Sequence, residues 1–146
     1  MKTLQKLTLV LFLLLMLPSC GEEVQLVIHN RSGQDVVLHR KGWIDYPIPD
    51  GGERTIPLIH FILSTTYIEA DGERWTYPDA PEALNAASSG AARSYIFRNS
   101  DDEPELIVRL GQGGRLDLLR VHESGKIVRP REQPPGFPLW PYALAQ

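Results

Sequence analysis

Short runs in which apolar and polar side chains alternate recur along the chain from residue 24 onward. In Val24-Gln25-Leu26-Val27-Ile28-His29, the residues Val24, Leu26 and Ile28 repeat with period two, which predicts a strand with one buried face. Asp35-Val36-Val37-Leu38-His39 follows the polar loop Asn30-Arg31-Ser32-Gly33-Gln34, and the two runs are expected to form a first hairpin. A second hairpin is predicted from Tyr67-Ile68-Glu69-Ala70, Asp71-Gly72 and Glu73-Arg74-Trp75-Thr76-Tyr77, because Asp-Gly is the preferred two-residue type I′ turn. Counting outward from that turn sets Glu69 opposite Arg74 and Ile68 opposite Trp75. Opposite charges then meet on one face and bulky apolar groups on the other. The same logic applied to Val121-His122-Glu123, Ser124-Gly125 and Lys126-Ile127-Val128 sets Glu123 against Lys126.

Further strands are predicted at residues 43–48, 54–58, 94–98, 105–110 and 115–120, with Pro49-Asp50-Gly51-Gly52 and Gly111-Gln112-Gly113-Gly114 as turns. One segment breaks the β pattern. Asp79-Ala80-Pro81-Glu82-Ala83-Leu84-Asn85-Ala86-Ala87 has an N-cap residue in Asp79, a proline in the first turn and Glu82 in the capping-box place. A short helix or helical turn over residues 79–87, crossing between sheets, is therefore expected. Short strands at this spacing predict an all-β domain over residues 24–129, an antiparallel β-sandwich or, as the alternative, a small β-barrel.

Residues 130–146 contain five prolines and cannot form a central strand, so polyproline II geometry is expected for much of "REQPPGFPLWPYALAQ". With Phe137, Leu139, Trp140 and Tyr142 this tail is too apolar to float free, and it is expected to pack across an edge or open end of the domain. If it docks on a partner instead, Phe137 and Trp140 are its candidate interaction residues.

Ahead of the first strand the pattern is different. Residues 1–6 include Lys2 and Lys6, and residues 7–17 are apolar apart from Thr8, the layout of a secretory signal peptide. That run reaches about 16 Å as a helix, against the roughly 30 Å hydrocarbon core of a bilayer, so a transmembrane span is not expected. It ends in Leu17-Pro18-Ser19-Cys20, which resembles the lipobox of bacterial lipoproteins, although Pro18 replaces the small or β-branched residue more usual there. The resemblance implies that residues 1–19 are cleaved as a signal peptide and that residues 20–23 form a lipidated N-terminus. Cys20, the only cysteine, would then carry a diacylglyceryl thioether and an amine acylated with a palmitate-type chain. Gly21 stands where an aspartate would resemble an inner-membrane retention signal, and Glu22-Glu23 resembles the acidic export tag of some Bacteroidetes surface lipoproteins. For a Gram-negative host the implied address is the outer membrane, at its periplasmic face or at the cell surface.

Cleavage there leaves 127 of the 146 residues and removes two of the 15 basic side chains, so 13 face 18 acidic ones, a formal charge of −5. A domain of this sign is repelled by nucleic acid and by anionic headgroups. The N-terminal lipid is thus the implied membrane contact, and an envelope protein the expected partner. With one cysteine no intrachain disulfide can form, and packing alone must hold the fold.

Candidate chemistry is sparse. In the hairpin register that pairs Ile28 with Val36, His29 lies opposite Asp35 and His39 opposite Gln25, roughly 13 Å apart along the strand. No ion bridges that gap, His60 and His122 lack ligand spacing, and no metal site is expected. Asn99-Ser100-Asp101-Asp102-Glu103-Pro104-Glu105 lacks the alternate spacing and central glycine of a calcium loop and reads as a solvated turn. No serine sits in a glycine-flanked nucleophile elbow, and neither a His-Glu-x-x-His motif nor a phosphate-cradling glycine loop occurs, so no catalytic residue or cofactor is expected. Ser89-Gly90-Ala91-Ala92-Arg93-Ser94-Tyr95 distantly resembles the serine-glycine-x-x-tyrosine motif of membrane-bound lysozyme inhibitors, with two extra residues before the tyrosine and without that family's cysteine pair. The resemblance implies a loop that inserts a serine into a lysozyme cleft, with Ser89 and Tyr95 as the candidate interaction residues. The expected function is a lipid-anchored envelope module that binds or builds without catalysis. Inhibition of an attacking hydrolase is the alternative, and an envelope enzyme the third.

Overall fold

Along β1 (Gln25–Asn30) the side chains of Leu26, Ile28 and Asn30 are fully buried on one face while Val27 and His29 occupy the other, as expected of a strand inside a layered fold. The computed structural model describes residues 22–40, 44–62, 66–89 and 94–144; the signal peptide expected over residues 1–19, Cys20 and Trp43 lie outside the described residues. β1 is the centre of a five-stranded sheet. Antiparallel β4 (Glu53–Pro57) lies on one side of it and parallel β8 (Pro104–Leu110) on the other. Both β7 (Phe97–Arg98) and β9 (Leu116–Leu118) pair with the far edge of β8. The second five-stranded sheet is antiparallel throughout and runs β12 (Tyr142–Leu144), β6 (Glu73–Thr76), β5 (Thr66–Ala70), β2 (Val36–Arg40), β3 (Tyr46–Ile48). A separate ribbon joins β10 (Arg120–Val121) to β11 (Ile127–Val128). Among the described residues the strands close no barrel, and no helix is long and apolar enough to cross a membrane.

One face of each sheet contributes to a common core. Leu26, Ile28, Leu106 and Leu118 come from the first sheet, and Leu38, Ile48, Ile68 and Trp75 from the second. Each such leucine or isoleucine contributes about 1.5–3 kcal/mol on burial. Helix α1 (Leu58–Ile62) adds Leu58 and Phe61. Helix α2 (Ala80–Ser88) adds Ala80, Ala83, Leu84 and Ala87, a spacing that lines one helical face. Strand β8 is buried on both sides, because Ile107 joins Val27 and Leu119 in a smaller cluster behind the sheet, with Phe97 and Val121 packed against it. Its Leu-Ile-Val run is the continuous apolar signature of such a strand.

The structure departs from the local sequence patterns at several places. β1 and β2 do not pair as a hairpin; they belong to different sheets, and Ile28 faces Arg54 and Val108 where Val36 was expected. The cause is Asn30. Its buried amide nitrogen donates to Gln34 O (2.8 Å) and Ile48 O (2.9 Å), and its oxygen accepts from Ser32 N (3.0 Å) and Ser32 Oγ (2.7 Å). The loop folds around that side chain and hands the chain from one sheet to the other. Strands β1 and β8 are parallel, which a long connection through the second sheet permits.

The β5–β6 hairpin has the expected register, Ile68 with Trp75 and Glu69 with Arg74, with positive φ at Asp71 and Gly72. The β10–β11 ribbon is shifted by one residue, since Val121 pairs with Ile127, and His122 N donates to Lys126 O. Positive φ falls on Gly125 and not on Ser124, so the loop is three residues closed by glycine, as serine's Cβ disfavours the first place of a type I′ turn. Residue 58 opens α1 instead of ending a strand, and residues 94–98 supply only the two-residue β7. Asp79 precedes α2 but makes no side-chain capping bond.

Candidate functional site

Strand alternation places Glu53, His29, Arg109 and Asp117 side by side across the outer face of the first sheet, one from each of β4, β1, β8 and β9. Glu53 Oε2 lies 3.4 Å from His29 Nε2. Burial lowers the His29 pKa; Glu53 raises it by less, and Arg31 lowers it further, so the imidazole is neutral at pH 7.

Asp117 is 1% exposed. Arg115 grips it with Nε and Nη2, the latter 2.8 Å from Oδ1, while Arg109 Nη2 donates to Oδ2 and Arg129 Nε to Oδ1, both at 2.9 Å. Burial alone would push this carboxyl up, but the hydrogen bonds from Arg115, Arg109 and Arg129 outweigh it and hold the pKa below the usual carboxylate range. Asp117 is therefore an ionised carboxylate whose oxygens are already occupied. The three guanidinium groups around it leave two positive charges uncompensated.

Beside this cluster opens a groove of about 660 Å³, lined by Arg31, Arg109, Arg115, Asp117, the Gly111–Gln112 turn and Trp140. Arg31 follows the end of β1, where its backbone N–H donates to Leu110 O (2.7 Å) and fixes it beside the end of β8. Its Nη1 donates to Asn30 O (3.1 Å), and among the described residues no carboxylate lies within ion-pair distance of it. Trp140 is 61% exposed, with the Arg115 guanidinium carbon 5.7 Å from its ring centre.

The backbone on both sides of Trp140 is fixed. Leu139 and Leu116 exchange two N–H···O bonds of 2.9 Å. Pro141 packs so closely on Gly114 that a Cβ there would fall 2.8 Å from Pro141 Cγ and 2.7 Å from Trp75 Cδ2. Gly114 also has φ +78°, and its carbonyl accepts from the buried Tyr77 hydroxyl at 2.6 Å.

Of the residues singled out by the sequence, Trp140 is the one the structure brings to this groove. Phe137 is buried in the main core. Ser89 follows the last residue of α2 and donates its hydroxyl to Asn85 O (2.7 Å), while Tyr95 is half-buried against the core; residues 90–93 between them lie outside the described residues, as does Cys20. On the outer face of the second sheet, His39 Nδ1 meets Asp45 Oδ1 at 2.9 Å and its ring stacks on Tyr67, far from any hairpin partner in β1. Among the described residues no three His, Cys, Asp or Glu side chains are grouped to hold a metal ion.

Sequence reasoning missed Arg31, Arg109, Arg115, Asp117 and Arg129. The available signal was Arg115-Leu116-Asp117-Leu118, an acid between two leucines and two residues from an arginine. No protein-family model, curated protein or solved structure matches the chain.

Proposed function

We propose that the protein is a lipid-anchored, non-catalytic binding module of the bacterial cell envelope, whose recognition surface is the arginine and tryptophan groove. The observation that carries this reading is Trp140, a large indole held in solvent by fixed backbone beside guanidinium groups. Exposed aromatics and arginines are the residue types that dominate recognition surfaces. The lipobox-like Leu17-Pro18-Ser19-Cys20 supports the anchor.

The first described residues support an orientation. Glu22 accepts two bonds from Arg98, at 3.1 and 2.8 Å, so the chain enters the domain at the start of β1. The groove lies at the opposite end of β1, roughly 20 Å away at about 3.3 Å per residue. A lipid on Cys20 would leave that groove facing away from the membrane.

Metabolic labelling with an alkyne fatty acid tests the anchor. The wild type should take up label, and Cys20→Ser should abolish it and leave precursor or misprocessed soluble protein. Equal labelling of both proteins would remove the lipoprotein assignment.

A further inference from the structure

Three arginines line the groove against a single carboxylate, and that carboxylate is saturated by guanidinium donors within the protein. A local surplus of positive charge in a mature chain of formal −5 is the reverse of what its composition favours. Arg31 is not engaged by a carboxylate among the described residues, and Arg109 uses one of its five N–H donors on Asp117. A guanidinium fork matches a carboxylate in plane and spacing.

Charge alone does not account for Trp140. Its indole offers a flat apolar face on rigid backbone, and Arg115 sits 5.7 Å from the ring centre. A ligand that satisfies both needs an apolar ring face and an anionic group on one molecule. A saccharide ring carrying a carboxylate has that arrangement, whereas inorganic phosphate has no face to stack. The groove volume, about 660 Å³, lies within the roughly 300–1,000 Å³ of small-ligand sites and exceeds what a lone ion needs.

We infer that this groove binds an acidic glycan, a saccharide ring stacking on Trp140 while its carboxylate takes the guanidinium groups of Arg31, Arg109 and Arg115. The inference deepens the binding-module reading and rests on it for the kind of partner. Its test does not depend on the anchor, so failure of Cys20 labelling and failure of glycan binding are separate results.

The mature chain in neutral detergent is titrated calorimetrically with a short oligogalacturonate, with the methyl-esterified oligomer of the same length, and with inorganic phosphate. Esterification keeps the ring and removes the charge. The acid is expected to bind at least about tenfold tighter than the ester and than phosphate, and to weaken as salt is raised. Arg31→Glu and Trp140→Ala should each weaken the acid about tenfold with unchanged thermal melts, because both side chains are exposed. Equal binding of acid and ester, equal binding of phosphate, no binding of the acid, or binding indifferent to both substitutions would each overturn the inference.

Discussion

Replacing Asp117 by asparagine keeps the side chain's shape and removes its charge, so the change isolates what three arginines gain from one carboxylate. The amide nitrogen would also present a donor to guanidinium donors. Removing one partner of a fully buried ion pair costs about 3–5 kcal/mol. Here the carboxylate side chain is 2% exposed, but the side chains of Arg109, Arg115 and Arg129 are 36%, 32% and 35% exposed, and water offsets part of their loss. We therefore expect a destabilisation of about 2–3 kcal/mol at pH 7. Urea denaturation followed by circular dichroism measures it. With m of roughly 1–3 kcal/mol/M, the midpoint should fall by about 0.7–3 M. The pH dependence gives a second check. The Asp117 pKa is depressed in the folded state, so its contribution is fully present above the unfolded value of about 3.9 and is lost as pH falls through the lower folded value. The stability gap between wild type and Asp117→Asn should be constant above about pH 5 and close in stronger acid. A gap of less than about 0.5 kcal/mol at pH 7, or one that persists undiminished at about pH 2, would refute the reasoning.

Two glycines with positive φ separate backbone strain from crowding. A Cβ at Gly72 meets nothing within 4 Å, so Gly72→Ala should cost about 1 kcal/mol from its φ of +78° alone. Gly114→Ala adds a 2.7 Å approach to Trp75 and should cost at least about 1 kcal/mol more; equal midpoint shifts for the two would contradict the packing described. Truncation after Arg129 removes Phe137 and Leu139 from the core and the two bonds that Gln133 makes to Leu118, a loss of about 3–6 kcal/mol against a typical total of about 5–15. The truncated chain should melt far lower and aggregate, and a melt within a few degrees of wild type would overturn that estimate.

What the sequence could reveal depended on how far away the deciding atoms lie. The β5–β6 register was legible because Asp71-Gly72 dictates it from within the turn itself. The route from β1 to β2 was not, because it is set by Asn30 reaching the carbonyl of Ile48, a residue whose position only the folded second sheet defines. The parallel pairing of β1 with β8 is likewise invisible to local pattern, although the apolar run Leu106-Ile107-Val108 does announce burial on both faces.

The groove was hidden for a related reason. Every arginine in it occupies a position that alternation or loop polarity assigns to solvent, and Asp117 reads as the outward residue of a half-buried strand. It is buried among Arg109, Arg115 and Arg129, and Arg129 comes from the segment just before Gln133, which is pinned to Leu118. Trp140 could be read as too apolar to float free, but its neighbours Arg115 and Arg31 are supplied by other parts of the chain.

Those late segments also determine how the site behaves as a unit. Gln133 is bonded to β9, Leu139 is bridged to Leu116, and residues 142–144 pair with β6, so the stretch bearing Trp140 is tied to both sheets. Arg31 and Arg109 stand on the ends of adjacent parallel strands in the first sheet, and Arg115 follows the turn that Gly114 closes. Three parts of the groove are thus bonded to core strands: Arg31 through its N–H to Leu110 O, Arg109 within β8, and the Trp140 stretch through the Leu139–Leu116 bridge. Rigidity of this kind lowers the ordering cost of binding. It also means that substitutions at Leu139 or Gly114, which touch no ligand in this scheme, should weaken glycan binding by displacing Trp140, while Ile127→Ala on the exposed β10–β11 ribbon should leave it unchanged. Calorimetry on Leu139→Ala, Gly114→Ala and Ile127→Ala with the same oligogalacturonate separates the cases. Undiminished affinity in the folded fraction of the first two variants would show that the indole does not depend on the backbone that holds it.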